Sequence, residues 1–157
     1  MNVSDIMSRE VRTCSPNDSL NTAAQLMWEN DYGCVPVVDA EGKITAMVTD
    51  RDICMAAYTQ GKALANLLVS AAASQNVVTL RERDTIDVAE ALMQKHRIRR
   101  LPVLDAAGKL VGILSMNDLA RHAQESGHRR SGLTAEGIAR TLAAVCEPTR
   151  LRAQAAE

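Results

Sequence analysis

The chain repeats itself. Residues 3 to 57 align without a gap on the stretch beginning at Val69, at a constant shift of 66 positions that sets Asp52 on Asp118. Val3-Ser4 falls on Val69-Ser70, Asp18 on Asp84, Leu26-Met27 on Leu92-Met93, and Pro36-Val37 on Pro102-Val103. Asp39-Ala40 and Gly42-Lys43 fall on Asp105-Ala106 and Gly108-Lys109. A gap-free match of this length implies two structural units of one design, and two copies are too few for a solenoid. Each copy has about 50–60 residues, too few to bury a good core alone. The chain must therefore fold as a pseudo-symmetric pair whose units bury their apolar strand faces against each other.

Within one unit the order of elements is readable. Residues 11–14 form a short extended piece halted by Ser15-Pro16. Asp18 or Ser19 then caps a helix with Leu20, Ala23, Ala24, Met27 and Trp28 on one side. That helix should end near Tyr32-Gly33, where glycine takes the left-handed conformation. Residues 35–38 read as a buried strand, Asp39-Ala40-Glu41-Gly42 as a turn, and residues 44–48 as the next strand. Thr49 caps a helix from Asp50 to about Tyr58. The second copy repeats this with helix 85–96, strand 101–104, turn 105–108, strand 110–114 and a helix from Ser115.

The fold class is accordingly α/β (α+β): two tandem β-α-β-β-α units packed with pseudo-two-fold symmetry, plus a C-terminal helix. The units span residues 1–59 and 69–125, joined by a connector at 60–68 whose Ala and Leu content predicts helix. Residues 126–157 comprise a linker, a helix capped by Thr134 and stopped by Pro148, and a tail. The stripe of Ile138, Leu142, Val145 and Cys146 needs a partner surface, on its own units, a second chain or another protein.

Composition excludes several function classes. The chain is 46% hydrophobic and 24% charged, which predicts a folded globular protein. A net charge of −1 gives no basic field for nucleic acid or anionic membrane. Aromatic residues make up only 2%, so there is no stacking platform for single strands. Met7, Met27, Met47, Met55 and Met93 are expected to fill the core in place of the missing Phe. Cys14, Cys34, Cys54 and Cys146 form no C-x-x-C pair; Cys34 and Cys54 sit among apolar neighbours and read as reduced thiols. With no secretory signal and no long apolar run, a soluble cytoplasmic protein is expected. His96, His122 and His128 lack metal-ligand spacing, so no metal site is expected, and nothing resembles a nucleophile elbow or a phosphate-binding glycine loop.

The chemistry concentrates in Thr49-Asp50-Arg51-Asp52 and its reduced copy Ser115-Met116-Asn117-Asp118. Each places a hydroxyl and a carboxylate three residues apart where a strand turns into a helix. An ionised Asp can accept from both hydroxyls of a ribose diol, at about 1.5–3 kcal/mol per bond to the charged acceptor. Backbone N–H groups at the helix start favour an anionic partner. The competing reading makes Asp52 and Asp118 first-turn carboxylates that stabilise a helix dipole. Their twin occurrence favours the ligand.

These features together resemble the CBS-domain pair, or Bateman module. The resemblance rests on Val3-Ser4-Asp5-Ile6-Met7, on Val35-Pro36-Val37-Val38-Asp39 and Leu101-Pro102-Val103-Leu104-Asp105, and on the Gly-Lys-hydrophobic run into Thr/Ser-x-x-Asp; it covers residues 1–125. It implies a non-enzymatic sensor that binds AMP, ADP, ATP or S-adenosylmethionine in clefts between the units and signals by conformational change to a protein effector. In this family the Thr/Ser-x-x-Asp of one unit holds the ribose, and the leading segment and hydrophobic-Pro strand of the other enclose the base. One site would then use Thr49 and Asp52 with Ser70, Ile98, Arg99 and Arg100; the other would use Ser115 and Asp118 with Ser4, Tyr32, Gly33 and Val35. Because His96-Arg97-Ile98-Arg99-Arg100 stands where the first copy has Asn30-Asp31-Tyr32-Gly33-Cys34, the Thr49/Asp52 site is expected to take the nucleotide phosphate. Members of this family commonly pair, so a homodimer is expected. The alternative is a constitutive scaffold with vestigial sites, supported by Thr45-Ala46 where the second copy has Val111-Gly112.

Overall fold

Two β-hairpins, one per repeat, frame the computed structural model, which describes residues 1–126 and 133–147. In the first unit α1 (Leu20–Asn30) leads to β1 (Cys34–Val38), β2 (Ile44–Thr49) and α2 (Asp50–Gln60). The second unit carries β3 (Leu80–Arg81), α3 (Ile86–His96), β4 (Arg100–Leu104), β5 (Leu110–Ser115) and α4 (Met116–Ser126), and α5 (Ala135–Cys146) follows. The pairs β1–β2 and β4–β5 are antiparallel, and β3 runs parallel to β4. In the first unit the piece equivalent to β3 shrinks to a single bridge between Cys14 and Val37. Both hairpin turns use the repeated Asp-Ala-x-Gly-Lys: Gly42 and Gly108 take φ of +79° and +83°, while Asp39 and Asp105 each accept from the lysine N–H at 2.8 Å.

Each unit has its own core, and each core is completed by the other copy's leading segment. Leu20, Ala23, Met27, Val35, Val37, Val48 and Ile53 are joined by Leu67 of the connector and Val69 at the start of the second copy. Leu80, Met93, Leu101, Leu114 and Leu119 are joined by Val3 and Met7 from the start of the chain. Backbone bonds fix the exchange: Val3 N–H donates to Asp84 O and Val69 N–H to Asp18 O, both at 2.8 Å, while Ser8 bridges Ile113 and Ser74 bridges Met47. Fully burying a valine contributes about 1.5–3 kcal/mol, so Val3 and Val69 bind the units firmly. Side-chain sizes are matched within each exchange. A Cβ on Gly112 would lie 2.6 Å from Met7 Sδ, so glycine makes room for methionine. In the first unit Ala46 stands at that position and the counterpart of Met7 is Ala73, which packs on the same core. The larger side chain at 46 thus goes with a smaller one at 73.

Several local expectations need correction. Helix α1 ends at Asp31, which takes the left-handed conformation (φ 54°) as its copy Arg97 does, and not at Gly33. The connector is not a continuous helix: Gly61 ends α2 at φ 59°, and only a 3-10 turn over Leu64–Asn66 follows. Trp28 is 88% exposed, because Leu20, Ala23 and Met27 already fill the inward stripe of α1. Met55 and Cys54 are exposed on α2, whereas Cys14 and Cys34 are buried. The linker between α4 and Leu133 and the tail beyond Glu147 lie outside the described residues. Among those described, no helix is long and apolar enough to cross a membrane.

Helix α5 folds back on the second unit, across α3 and α4. Thr134 caps it, accepting from Gly137 N–H at 3.0 Å. Thr141 is fully buried; its hydroxyl donates to Glu90 Oε1 at 3.0 Å and accepts from Gln94 Nε2 at 2.8 Å. Arg97 and Glu147 pair at 2.7 Å. Ile138 and Val145 face inward, while Leu142 and Cys146 of the expected stripe face out.

Replacing Thr141 with Val leaves Glu90 and Gln94 without this partner and should cost about 1–3 kcal/mol in urea unfolding. Burial, with a smaller push from Asp18, raises the Cys14 thiol to about 11, and burial likewise raises Cys34. Since the thiolate is the nucleophile, iodoacetamide at pH 8 should label Cys54 and Cys146 and spare Cys14 and Cys34, as read by peptide mass spectrometry.

Candidate functional site

The two Thr/Ser-x-x-Asp motifs fold identically. At the start of α2, Asp52 Oδ2 accepts from Thr49 N–H at 2.8 Å and Thr49 Oγ1 at 2.7 Å, and Asp52 N–H donates to Thr49 Oγ1 at 3.2 Å. At the start of α4, Asp118 Oδ2 accepts from Ser115 N–H at 2.8 Å and Ser115 Oγ at 2.6 Å, with the return bond again 3.2 Å. These are capping boxes, so each aspartate does stabilise its helix. Only one carboxylate oxygen is consumed. The second, Asp118 Oδ1, accepts from Arg121 and from Ser8 Oγ at 3.4 Å. Asp52 Oδ1 accepts nothing from the described residues.

A cavity of about 850 Å³ opens beside Asp118 and Ser115. Its walls come from both units: Ser8 to Arg12 of the leading segment, Tyr32, Gly33, Cys34 and Pro36 of the first unit, and Arg100, Ile113 and Arg121 of the second. That volume suits a nucleotide-sized ligand. Four arginines line it, Arg9, Arg12, Arg100 and Arg121, together with the acidic residues Glu10, Asp31 and Asp118. Arg9 pairs with Glu82 and Arg121 with Asp118. Arg12 and Arg100 have no hydrogen bond or ion pair among the described residues. The Arg100 guanidinium lies over Gly33, where a Cβ would come within 2.9 Å of its Nη2. Glycine here lets the guanidinium approach the backbone closely and does not serve a left-handed turn.

Arg100 was expected opposite Thr49 and is found with Ser115. The register explains it: Arg100 is the direct cross-strand partner of Ser115 in the β4–β5 hairpin, as Cys34 is of Thr49. Directly opposed residues in an antiparallel pair project on one face of the sheet. The buried Cys34 thiol also lines the cavity, raised by burial, drawn down by Arg100 and pushed up by Asp50. Tyr32 and Gly33 line the cavity as expected, and the Tyr32 hydroxyl donates to Glu10 O at 3.3 Å.

The remaining expected positions fall elsewhere. Val35 is fully buried in the first core and does not line the cavity. Ser4 lies outside the cavity, its N–H donating to Glu82 O at 3.1 Å and its carbonyl accepting from Arg9 at 3.2 Å. Ser70 N–H donates to Pro16 O, and Ile98 packs on the second core. Arg99 is exposed, with its carbonyl accepting from Met116 N–H at 3.0 Å. Thr49 and Asp52 line neither this cavity nor a smaller one of about 490 Å³ between α1 and α2. Sequence reasoning missed Ser8, Arg9, Arg12 and Arg121. The signal was available: the 66-residue shift sets Arg9 and Arg12 against Gln75 and Val78, so the first leading segment alone is basic.

The family model for the CBS domain matches twice, over residues 3–58 and 69–125. The chain is a CBS-domain pair. The CBS domain-containing protein YhcV of Bacillus subtilis is 37% identical over 132 residues, spanning 84% of this chain and 92% of that protein. Among solved structures, the CBS-domain pair of protein MJ0100, in complex with 5′-methylthioadenosine and S-adenosyl-L-methionine, superposes with a TM-score of 0.73. It is 28% identical and covers 81% of this chain and 98% of that one. CBSX2 of Arabidopsis thaliana, solved with AMP, gives a TM-score of 0.69 at 26% identity, covering 79% and 96%.

If Asp52 and Asp118 both cap, Asp52→Ala and Asp118→Ala should each cost about 1 kcal/mol in stability. The Asp118 loss should be the larger, because that carboxylate also holds Arg121 and Ser8.

Proposed function

We propose that this CBS pair is a regulatory module that binds a phosphorylated adenosine (AMP, ADP or ATP) in the Ser115/Asp118 cavity, acting by binding and not by turnover. The observation that carries this reading is the meeting, in one cavity, of the helix-start residue Asp118 with Arg12 and Arg100, which have no hydrogen bond or ion pair among the described residues. The ligands of the MJ0100 pair and of CBSX2 support the adenosyl class.

Asp118 Oδ1 is the ribose acceptor, and the diol takes the place of the long bond from Ser8. Arg121, whose side chain is 68% exposed, can turn from Asp118 to the phosphate without disturbing the core. Arg100 and Arg12 supply planar charged donors matched to phosphate oxygens. Tyr32, Pro36 and Ile113 offer the base an apolar wall. Bonds to charged groups at about 1.5–3 kcal/mol each suffice for micromolar affinity, which corresponds to about −8.2 kcal/mol. A positively charged sulfonium would meet guanidinium groups here, which disfavours S-adenosylmethionine. The Thr49/Asp52 cleft, with Cys34 opposite its hydroxyl in place of an arginine, is the weaker site.

Occupancy draws the leading segment, the first hairpin and α4 together. A dimer partner or protein effector would read that shift in population, to the extent that the ligand prefers one geometry. The larger side chain at 46 and the smaller one at 73, both on the first core, weigh against the scaffold alternative.

Calorimetric titration of AMP, ATP and S-adenosylmethionine tests the reading. Arg100→Ala should weaken ATP by about tenfold or more, in line with loss of one charge-assisted contact, and Asp118→Ala should abolish binding. Asp52→Ala should change little. A loss confined to Asp52→Ala would move the site to the other cleft, and no binding of any of the three would favour the scaffold.

A further inference from the structure

Gly33 stands between two opposite charges. A Cβ placed on it would lie 2.9 Å from Arg100 Nη2 and 3.4 Å from Asp50 Oδ2. Guanidinium and carboxylate thus both reach within 3.4 Å of one point over the glycine. They come from different units: Arg100 opens β4 of the second, and Asp50 is the first residue of α2 in the first. The backbone fixes the carboxylate's place, because Asp50 N–H donates to Gly33 O at 3.4 Å. Arg100 lines the larger cavity and Asp50 only the smaller. The carboxylate therefore reaches this arginine without lining the space proposed for the ligand.

The two groups are close without being paired. Arg100 has no hydrogen bond or ion pair among the described residues, and Asp50 Oδ1 accepts from Arg51 N–H at 2.7 Å. Asp50 Oδ2, the oxygen beside Gly33, accepts nothing from the described residues. The Cys34 thiol feels both charges: burial raises it most, Arg100 draws it down and Asp50 pushes it up.

This arrangement belongs to one cleft. The 66-residue shift sets Gly33 on Arg99, Cys34 on Arg100 and Asp50 on Met116, which is buried in the second core. A first-turn carboxylate stabilises its helix dipole wherever it points. That role does not account for an oxygen and a guanidinium converging over a glycine from two units. Opposite charges this close attract, so the carboxylate competes for Arg100 and also repels an arriving phosphate. A ligand without phosphate meets neither effect.

We propose that Asp50 is the counter-ion of Arg100 across Gly33, and that a phosphate must take the guanidinium from it. Asp50 thereby sets how strongly the cavity favours phosphorylated over unphosphorylated adenosine. The counter-ion stands on the geometry at Gly33; its effect on ligand choice rests on the nucleotide reading.

Calorimetric titration of adenosine, AMP and ATP into wild type, Asp50→Asn, Arg100→Ala and the double variant tests the effect on ligand choice. NMR of the Arg100 Nε–H in the nucleotide-free protein reads the counter-ion separately. Asp50→Asn should strengthen AMP and ATP about threefold, the effect of one solvent-screened charge at such a separation, and leave adenosine unchanged. The gain should fade as salt approaches about 1 M, where the screening length is about 3 Å. In the Arg100→Ala background it should vanish. The Arg100 Nε–H resonance should move in Asp50→Asn. A merely structural role at the start of α2 would lower the melting temperature and leave the AMP-to-adenosine affinity ratio unchanged, which overturns the proposal. Weaker nucleotide binding by Asp50→Asn, or a gain that persists without Arg100, overturns it as well. If neither nucleotide binds the wild type, the nucleotide reading fails and the effect on ligand choice with it. The Arg100 resonance then decides the counter-ion alone: a shift in Asp50→Asn upholds it, and an unmoved signal overturns it.

Discussion

The exchange of leading segments holds this molecule together. Val3 and Met7 complete the core of the second unit, and Leu67 and Val69 complete that of the first. Neither repeat can satisfy its own interior, so the two halves fold as one body. The exchange also builds the cavity. Pairing of Ser8 with Ile113 brings Arg9, Glu10 and Arg12 of the first copy to the mouth of the Ser115/Asp118 pair of the second. The residues that stabilise the fold thus deliver the charged groups to the site.

The two copies then diverge at their clefts and on their helical faces. The second unit has Arg100 opposite Ser115, where the first has Cys34 opposite Thr49. The first unit has Trp28 and Tyr58 exposed on its helical face, where the second has Gln94 and Gln124 and a covering helix. One cleft is cationic and one helical face is apolar, and the Asp31–Tyr32 turn lies between them. A symmetric pair would offer two equal clefts and two equal faces. This chain makes one of each distinctive.

Most of the fold was legible because repetition supplied an internal control. The caps at Ser19, Thr49 and Thr134, both hairpins and all five described helices follow from local chemistry that the alignment of the two copies reinforces. That Ser115 and Asp118 of one unit share a cavity with Tyr32 and Gly33 of the other was legible too. The mistakes were matters of direction. Assigning Arg100 to the Thr49 cleft ignored that an antiparallel register ties a strand's first residue to the last residue of its partner. Treating Trp28 as core overlooked that Leu20, Ala23 and Met27 already complete the inward face. The basic character of the first leading segment shows only against the second copy, where Gln75 and Val78 stand in place of Arg9 and Arg12. Nothing in the spacing tells that α5 docks through a buried threonine, since Thr141 interrupts the apolar stripe that marked the helix.

The central claim is that the phosphate of an adenine nucleotide lies with Arg100 and Arg12, and its ribose at Asp118. A crystal structure grown with ATP tests this most directly. The account predicts density for the ribose against Asp118 Oδ1 and for phosphate beside Arg100 and Arg12, with Arg121 turned away from Asp118. Phosphate density in the Thr49/Asp52 cleft, with the Ser115/Asp118 cavity free of nucleotide, would contradict it.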